Sequence, residues 1–322
     1  MYDNQGRLAE SGPPVYTVFT PTFNRRETLP RVYDSLLHQT YKSFEWIIVD
    51  DGSTDSTGDL IPAWLATAPF RIRYYYQENK GTHVATNFAV TVAEDEHFLI
   101  FDSDDRFTPD ALDVLHREWL SIPAEKRREY KGTTCRCLNP ATEKIVGNPL
   151  PYSPLDTDSI ELRFRYRVRG EMVGSTLTEI MRRHPFPVFD EEAKFCPESI
   201  VWFDIAREFK ERVLDVGIRY YYRDRANALT GKSVNRAGAN YHLWRYYLND
   251  CSDYARYSPD MFAKALVGMS RDGFTVSKPL PEMVNDLNSV VMRTLFVVFL
   301  PAGYLLSRLK QIQLSVRRRR AA

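Results

Sequence analysis

Residues 46–55 read Trp46-Ile47-Ile48-Val49-Asp50-Asp51-Gly52-Ser53-Thr54-Asp55. Four consecutive apolar residues are the pattern of a strand covered on both faces, as in a parallel sheet. The run then breaks into acidic, glycine and hydroxyl residues, the composition of a tight turn that can cap a following helix. The same grammar recurs on both sides. Upstream, residues 15–20 are apolar and β-branched, and Pro21 is expected to end that strand. Thr28 is placed to cap a helix to about residue 39, with Leu29, Val32, Leu36 and Leu37 on one face and Pro30 in the first turn. Downstream, a helix around 59–66 is interrupted by Pro62, and a strand follows at 72–76. A helix over 82–93 carries Val84, Ala85, Phe88 and Val92 on one face. A strand at 98–101 and a helix at 109–120 complete the series. This βα alternation predicts an α/β domain with a mixed, mainly parallel sheet flanked by helices. In such sheets ligands gather beyond the carboxyl ends of the strands. The polar clusters after Thr20, Val49 and Phe101 sit at those ends.

Of the 322 residues, 43% are hydrophobic, enough for one large domain with a smaller attachment. Basic and acidic residues number 43 and 42, so no global field points to nucleic acid. Cys135, Cys137, Cys196 and Cys251 form neither a CxxC pair nor a disulfide framework, which points to a reduced, cytoplasmic setting. Residues 1–14 are polar and lack the apolar stretch of a secretory signal. The six histidines show no paired ligand spacing and read as structural or solvated. Residues 135–189 read as irregular, with Pro149, Pro151 and Pro154 in a loop, and a helix is expected near 197–212. Three segments follow: a polar arm 1–14, an α/β domain 15–226 and a helical extension 227–322.

Two acidic clusters carry the chemistry. Asp102-Ser103-Asp104 follows a buried strand, and a turn can bring both carboxylates around one hard cation such as magnesium or manganese. Taken alone, the trio is equally a solvated acidic turn. Asp51 can accept a hydrogen bond from a nucleobase N–H, and Gly52 permits close backbone approach; an ordinary capped turn has the same composition. A haloacid-type hydrolase would place Thr or Val where Arg106 stands. Thr230-Gly231-Lys232-Ser233 lacks the earlier glycine of a P-loop, since Ala226 occupies that place. A nucleotidyltransferase would want a glycine-rich loop after the first strand, and residues 21–26 contain no glycine.

Taken together the motifs resemble glycosyltransferase family 2. The resemblance covers roughly residues 16–209. It opens with Phe19-Thr20-Pro21-Thr22-Phe23-Asn24-Arg25 and continues through Ser35-Leu36-Leu37-His38-Gln39-Thr40-Tyr41. Residues 49–55, Asn79-Lys80-Gly81 with Asn87, and residues 101–105 complete it. It implies a GT-A fold and inverting transfer of a sugar from a nucleotide-diphosphate donor, UDP-sugar favoured, to a sugar or lipid-linked acceptor. A divalent cation, Mn2+ or Mg2+, is implied as cofactor. Matching positions take the family's roles. Pro21 and Thr22 shape the nucleoside pocket, Asp51 holds the base, and Lys80 and Gly81 lie near the diphosphate. Asp102 lies near the ribose and shares the metal, with Asp104 as the principal ligand. The family's Glu-Asp pair is replaced by Glu198-Ser199 within Cys196-Pro197-Glu198-Ser199-Ile200-Val201-Trp202. Glu198 is then the expected base, and Trp202 a possible platform for the acceptor. The missing aspartate leaves open a non-catalytic nucleotide-sugar-binding module tethered at a membrane.

The C-terminal stretch 295–306 is apolar, is interrupted by Pro301, and is shorter than the roughly 20 residues that span a bilayer. Arg293, Arg308, Lys310 and the run 317–320 flank it. This pattern predicts an interfacial helix on the cytoplasmic face of a membrane, burying Phe296, Val297, Phe299, Leu300 and Leu305.

Overall fold

A computed structural model of the chain describes residues 15–189, 194–222 and 236–321. In chain order the elements are β1 (Tyr16–Thr22), α1 (Leu29–Leu37), β2 (Phe44–Asp50), α2 (Ile61–Thr67), β3 (Arg71–Tyr76), α3 (Thr82–Val92) and β4 (His97–Ile100). Next come β5 (Arg106–Phe107), α4 (Ala111–Ser121), β6 (Tyr130–Leu138), β7 (Leu155–Thr157), α5 (Ser159–Phe164), β8 (Met172–Leu177) and α6 (Thr178–Arg183). The chain continues through α7 (Ser199–Ile205), β9 (Lys210–Tyr220), α8 (Ala237–Asp250), α9 (Pro259–Thr275), α10 (Leu280–Asn285) and α11 (Val290–Ala321). It divides into two compact units. One is Met1–Ser159, Val168–Phe186 and Asp204–Lys232; the other is Ile160–Arg167, Pro187–Phe203 and Ser233–Ala322.

The first unit is built on a nine-stranded sheet of order β3-β2-β1-β4-β8-β6-β9-β5, with β7 paired to β9. β3, β2, β1 and β4 are mutually parallel. β8 runs antiparallel to both β4 and β6, and β6 and β9 are parallel. All residues of β1 and β2 are buried, as the apolar run at 46–49 requires. Trp46, Leu36, Leu112 and Phe101 lie in the main core.

Several local expectations are corrected. Pro21 does not end β1, which runs on to Thr22. Phe19 O accepts from Phe101 N on the β4 side, so Pro21, two residues on, faces that same side. β4 has ended there, and no ladder donor is needed. Thr28 precedes α1 but makes no side-chain cap; its hydroxyl donates to Ser103 O at 2.9 Å. The buried face of α3 is His83, Ala85, Thr86, Ala89 and Val90, while Phe88 is exposed at the edge of the Tyr75 ring. Small residues let this helix lie close to the sheet. The segment expected to be irregular supplies the end of β6 and all of β7 and β8, and the helix expected near 197–212 is the shorter α7, with residues 210–212 opening β9.

In the second unit α9 packs on α11. Ser270 Oγ donates to Leu300 O at 3.1 Å, and a Cβ at Gly303 would meet Ser270 Cβ at 2.4 Å, so the two backbones need glycine there. α11 continues through Pro301. Its stretch Val290–Leu309 is 20 residues long with mean hydropathy 1.8, long and apolar enough to cross a membrane by length and composition. The expected apolar face is also shifted. Phe296 is fully buried in the unit, whereas Val290, Val291, Val297, Val298, Leu305 and Leu309 are exposed. The side chains of residues 310 and 317–320 lie outside the described residues.

Candidate active site

The site is built where β1, β2 and β4 end. At the end of β2, Asp50 accepts from Ser53 N at 2.8 Å and from the Tyr74 hydroxyl at 2.9 Å, which folds the following turn back on the strand. Gly52 holds φ +87°, and a Cβ there would meet Asn79 N at 2.9 Å. Only glycine combines that backbone with that approach. Asp51 is buried and its carboxylate organises the next loop. Oδ1 accepts from Gln77 Nε2 at 2.6 Å and Lys80 N at 2.8 Å; Oδ2 accepts from Gly81 N at 2.8 Å. Gly81, at φ +97°, is the N-cap of α3, so Asp51 also faces the positive end of that helix. A carboxylate offers about four acceptor positions, and three are used. His83, on the first turn of α3, is buried with no partner for Nδ1 among the described residues; burial holds its pKa low, against the pull of Asp51.

The β1 end interlocks with the β2 turn. Asn24, at φ 54°, accepts from Thr54 N at 2.7 Å, and its own N–H donates to Ser53 Oγ at 2.8 Å. Arg25 N donates to Thr57 Oγ1 at 2.9 Å, which directs the Arg25 side chain toward the acidic turn after β4. There Arg25 Nε lies 3.3 Å from Ser103 Oγ and Nη2 3.5 Å from Asp104 Oδ2. Arg31 donates to Asp104 O at 2.8 Å and stacks over Tyr222. Thr22 is buried at the β1 end, and its hydroxyl has no hydrogen-bond partner among the described residues.

The acidic turn presents three carboxylates in graded exposure. The side chain of Asp102 is 47% exposed and Oδ2 accepts from Arg219 Nη1 at 2.9 Å. That of Asp104 is 22% exposed. Asp105 is fully buried, with Oδ1 accepting from Tyr222 N at 2.9 Å and Oδ2 3.4 Å from Arg219 Nε. Burial pushes the Asp105 carboxyl up to about 7, against the opposing charge of Arg219. Among the described residues no group of three His, Cys, Asp or Glu side chains forms a self-sufficient metal site. Two neighbouring carboxylates are nonetheless the donor set that magnesium or manganese uses when phosphate oxygens and water complete its shell. The residues present fit that kind of ion.

The structure thus brings Pro21, Thr22, Asp51, Lys80, Gly81, Asp102 and Asp104 to one end of one sheet, with the Lys80 side chain exposed. Glu198 and Trp202 belong to the second unit. Glu198 immediately precedes α7, is exposed, and its carbonyl accepts from Val201 N at 3.0 Å and Trp202 N at 3.2 Å; Trp202 is half-buried. The neighbouring Cys196 thiol is pushed up to about 12 by burial and by Glu198, so it stays neutral. Residues 227–233, with the Thr230–Ser233 tetrapeptide, lie outside the described residues. Sequence reasoning missed Arg25, Arg31 and Arg219. Arg25 lies within a quoted motif, but nothing in the sequence links Arg219 to a turn more than a hundred residues earlier.

With this geometry in hand, comparison with solved structures defines the class. The fold is GT-A: the crystal structure of S. aureus TarS 1-349 in complex with UDP-GlcNAc superposes with a TM-score of 0.63 at 14% identity, covering 93% of this chain and 92% of that one. A mannosyltransferase from Pyrobaculum calidifontis, solved with GDP-Man and Mn2+, gives 0.51 at 18% identity over 92% of this chain and 88% of that one. The family profile for Glycosyl transferase family 2 matches residues 17–124, and the chain carries a glycosyltransferase family 2 domain. The chondroitin synthase of Pasteurella multocida is 34% identical over 127 residues, 39% of this chain and 13% of that one. Against several curated relatives the chain spans about a third of their length or less.

Proposed function

We propose that the protein transfers a sugar from a nucleotide-diphosphate donor, UDP-sugar favoured, to an acceptor hydroxyl with inversion, in the synthesis of a cell-surface polysaccharide or glycolipid. The observation that carries this reading is the convergence of a three-bond Asp51 clamp at the end of β2 and a partly exposed pair of carboxylates at the end of β4, on either side of β1. Asp51, with one acceptor position left, would take a base N–H, and the unpartnered Thr22 hydroxyl beside Pro21 would serve the nucleoside. Lys80, through its exposed side chain, and Gly81 would lie near the diphosphate, while their N–H groups stay on Asp51. Asp102 and Asp104 would hold Mn2+ or Mg2+, whose charge stabilises the departing diphosphate. TarS binding UDP-GlcNAc, the Mn2+ of the mannosyltransferase and the chondroitin synthase all support the assignment.

Glu198 is proposed as the general base that removes the acceptor proton, and Trp202 as an acceptor platform, both on the sequence resemblance. The test is UDP release from a panel of UDP-sugars with Mn2+ and oligosaccharide acceptors. Glu198→Gln is expected to keep donor affinity and lose roughly 10²-fold or more in turnover. Near-normal turnover would remove Glu198 from the mechanism, and donor binding without any transfer would favour the non-catalytic module.

We further propose that α11 contacts a membrane, through the exposed apolar residues of Val290–Leu309 together with the flanking basic residues. Full-length protein is expected to float with anionic liposomes, and protein truncated before residue 288 to stay in the soluble fraction. Full-length protein that stays soluble at low salt would contradict this.

A further inference from the structure

We infer that Arg219 is a positioning residue that serves as the resident counter-charge of the acidic turn, and so sets how tightly that turn takes a divalent cation. The inference rests on reading residues 102–104 as the cation-nucleotide site. Register fixes Arg219 in place: on β9 it pairs with Cys137 of β6 on one side and Phe107 of β5 on the other. Its guanidinium is buried, and its donors reach β6, β8 and the turn after β4. Nη1 donates to Asp102 Oδ2 at 2.9 Å, Nη2 to Met172 O at 3.3 Å and Nε to Cys137 Sγ at 3.2 Å, with Asp105 Oδ2 3.4 Å from Nε. A buried guanidinium is costly unless its fork is satisfied, and here two carboxylates of one turn help satisfy it. Arg219 takes one acceptor position on Asp102 Oδ2, and Oδ1 stays open to a ligand.

This arrangement has two opposed effects. The fork fixes the orientation of Asp102, which transfer needs. Its positive charge also repels a cation held by the same carboxylate, at a distance where the interaction is strong because the group is shielded from water. Removing the charge should therefore tighten cation binding and slow transfer at once. A residue that merely supports the fold would weaken both together.

The experiment measures Mn2+ binding to the full chain with saturating UDP, by the electron paramagnetic resonance signal of free Mn2+, alongside UDP release from donor. Arg219→Met is expected to bind Mn2+ roughly fivefold or more tightly than wild type, from the lost repulsion, while turnover falls at least roughly tenfold. Arg219→Lys keeps the charge without the fork; its Mn2+ affinity should stay within about twofold of wild type while turnover still falls. If circular dichroism shows Arg219→Met unfolded, Arg219→Gln carries the same test with the same expectation. Mn2+ affinity equal to or weaker than wild type in the folded neutral variant overturns the inference. Wild type that binds no Mn2+ with UDP overturns the reading of the site itself, and that outcome appears before any variant is compared.

Discussion

The two ends of the same parallel strands carry similar residues and put them to different use. At the amino ends, Thr17 of β1, Glu45 of β2, Arg71 and Arg73 of β3 and Asp95 before β4 close on one another. Glu45 is fully buried and paired with Arg73, Arg71 approaches it at 3.6 Å, and the Thr17 hydroxyl lies 2.9 Å from Asp95 Oδ2. At the carboxyl ends, Asp51, Asp102 and Asp104 are held by backbone N–H groups and by arginines from other elements, and two of the three keep partly exposed side chains. The closed cluster consumes its charges internally, whereas the open one keeps carboxylate oxygens within reach of a ligand. Acidic residues near a sheet edge are therefore not equivalent; what separates a structural network from a site is whether the carboxylates stay open to solvent.

Substitutions at the two ends sharpen this contrast. The larger expected effect is Asp51→Ala, which leaves the Lys80 and Gly81 N–H groups without their acceptor. Loss of about 2–4 kcal/mol in denaturant unfolding is expected, since each buried unpaired donor costs about 1–3 kcal/mol. UDP binding should weaken at least roughly tenfold with it. A variant as stable as wild type would mean the clamp contributes nothing to the loop.

A smaller effect, of opposite sign, is expected at the closed end. Burial and then the neighbouring Glu45 push the Asp95 carboxyl up to about 6, against Thr17 and the two arginines. Because the folded-state pKa lies above the unfolded one, the folded protein binds this proton more tightly. That contribution is fully present below about pH 4 and is lost as pH rises toward about 6. Asp95→Asn has no such loss. It should unfold at higher denaturant than wild type at pH 7.5, by about 1–3 kcal/mol, with the difference shrinking toward pH 4. A pH-independent difference would show that Asp95 does not ionise at a cost, and UDP affinity should not change at all.

The open end was more legible in sequence than the rest of the sheet. Residues 46–55 read correctly because an unbroken apolar run followed by a turn needs only local information. β6 and β9 did not, because each carries buried charges that find partners only across the sheet. Lys131 pairs with Glu211 at 3.1 Å, and Arg136, fully buried, donates to Asn148 O at 2.8 Å and faces Asp215. A charge inside a strand hides the alternation that marks it. The face of α3 was misjudged in part for a related reason: Ala85 is buried as expected, but Ala89 is buried because it is small, and hydrophobic size points instead to the exposed Phe88. At the site the acidic residues announced themselves, while Arg219 had no local signature.

The central claim is that the open end binds a nucleoside diphosphate through a cation held by the acidic turn. Titration calorimetry of UDP into the full chain, with Mn2+ and then with EDTA, tests it most directly when run beside Asp104→Ala. Binding in Mn2+ that weakens at least roughly tenfold, both on chelation and in a folded Asp104→Ala protein, is the predicted result. Equal UDP affinity in all three conditions would contradict it.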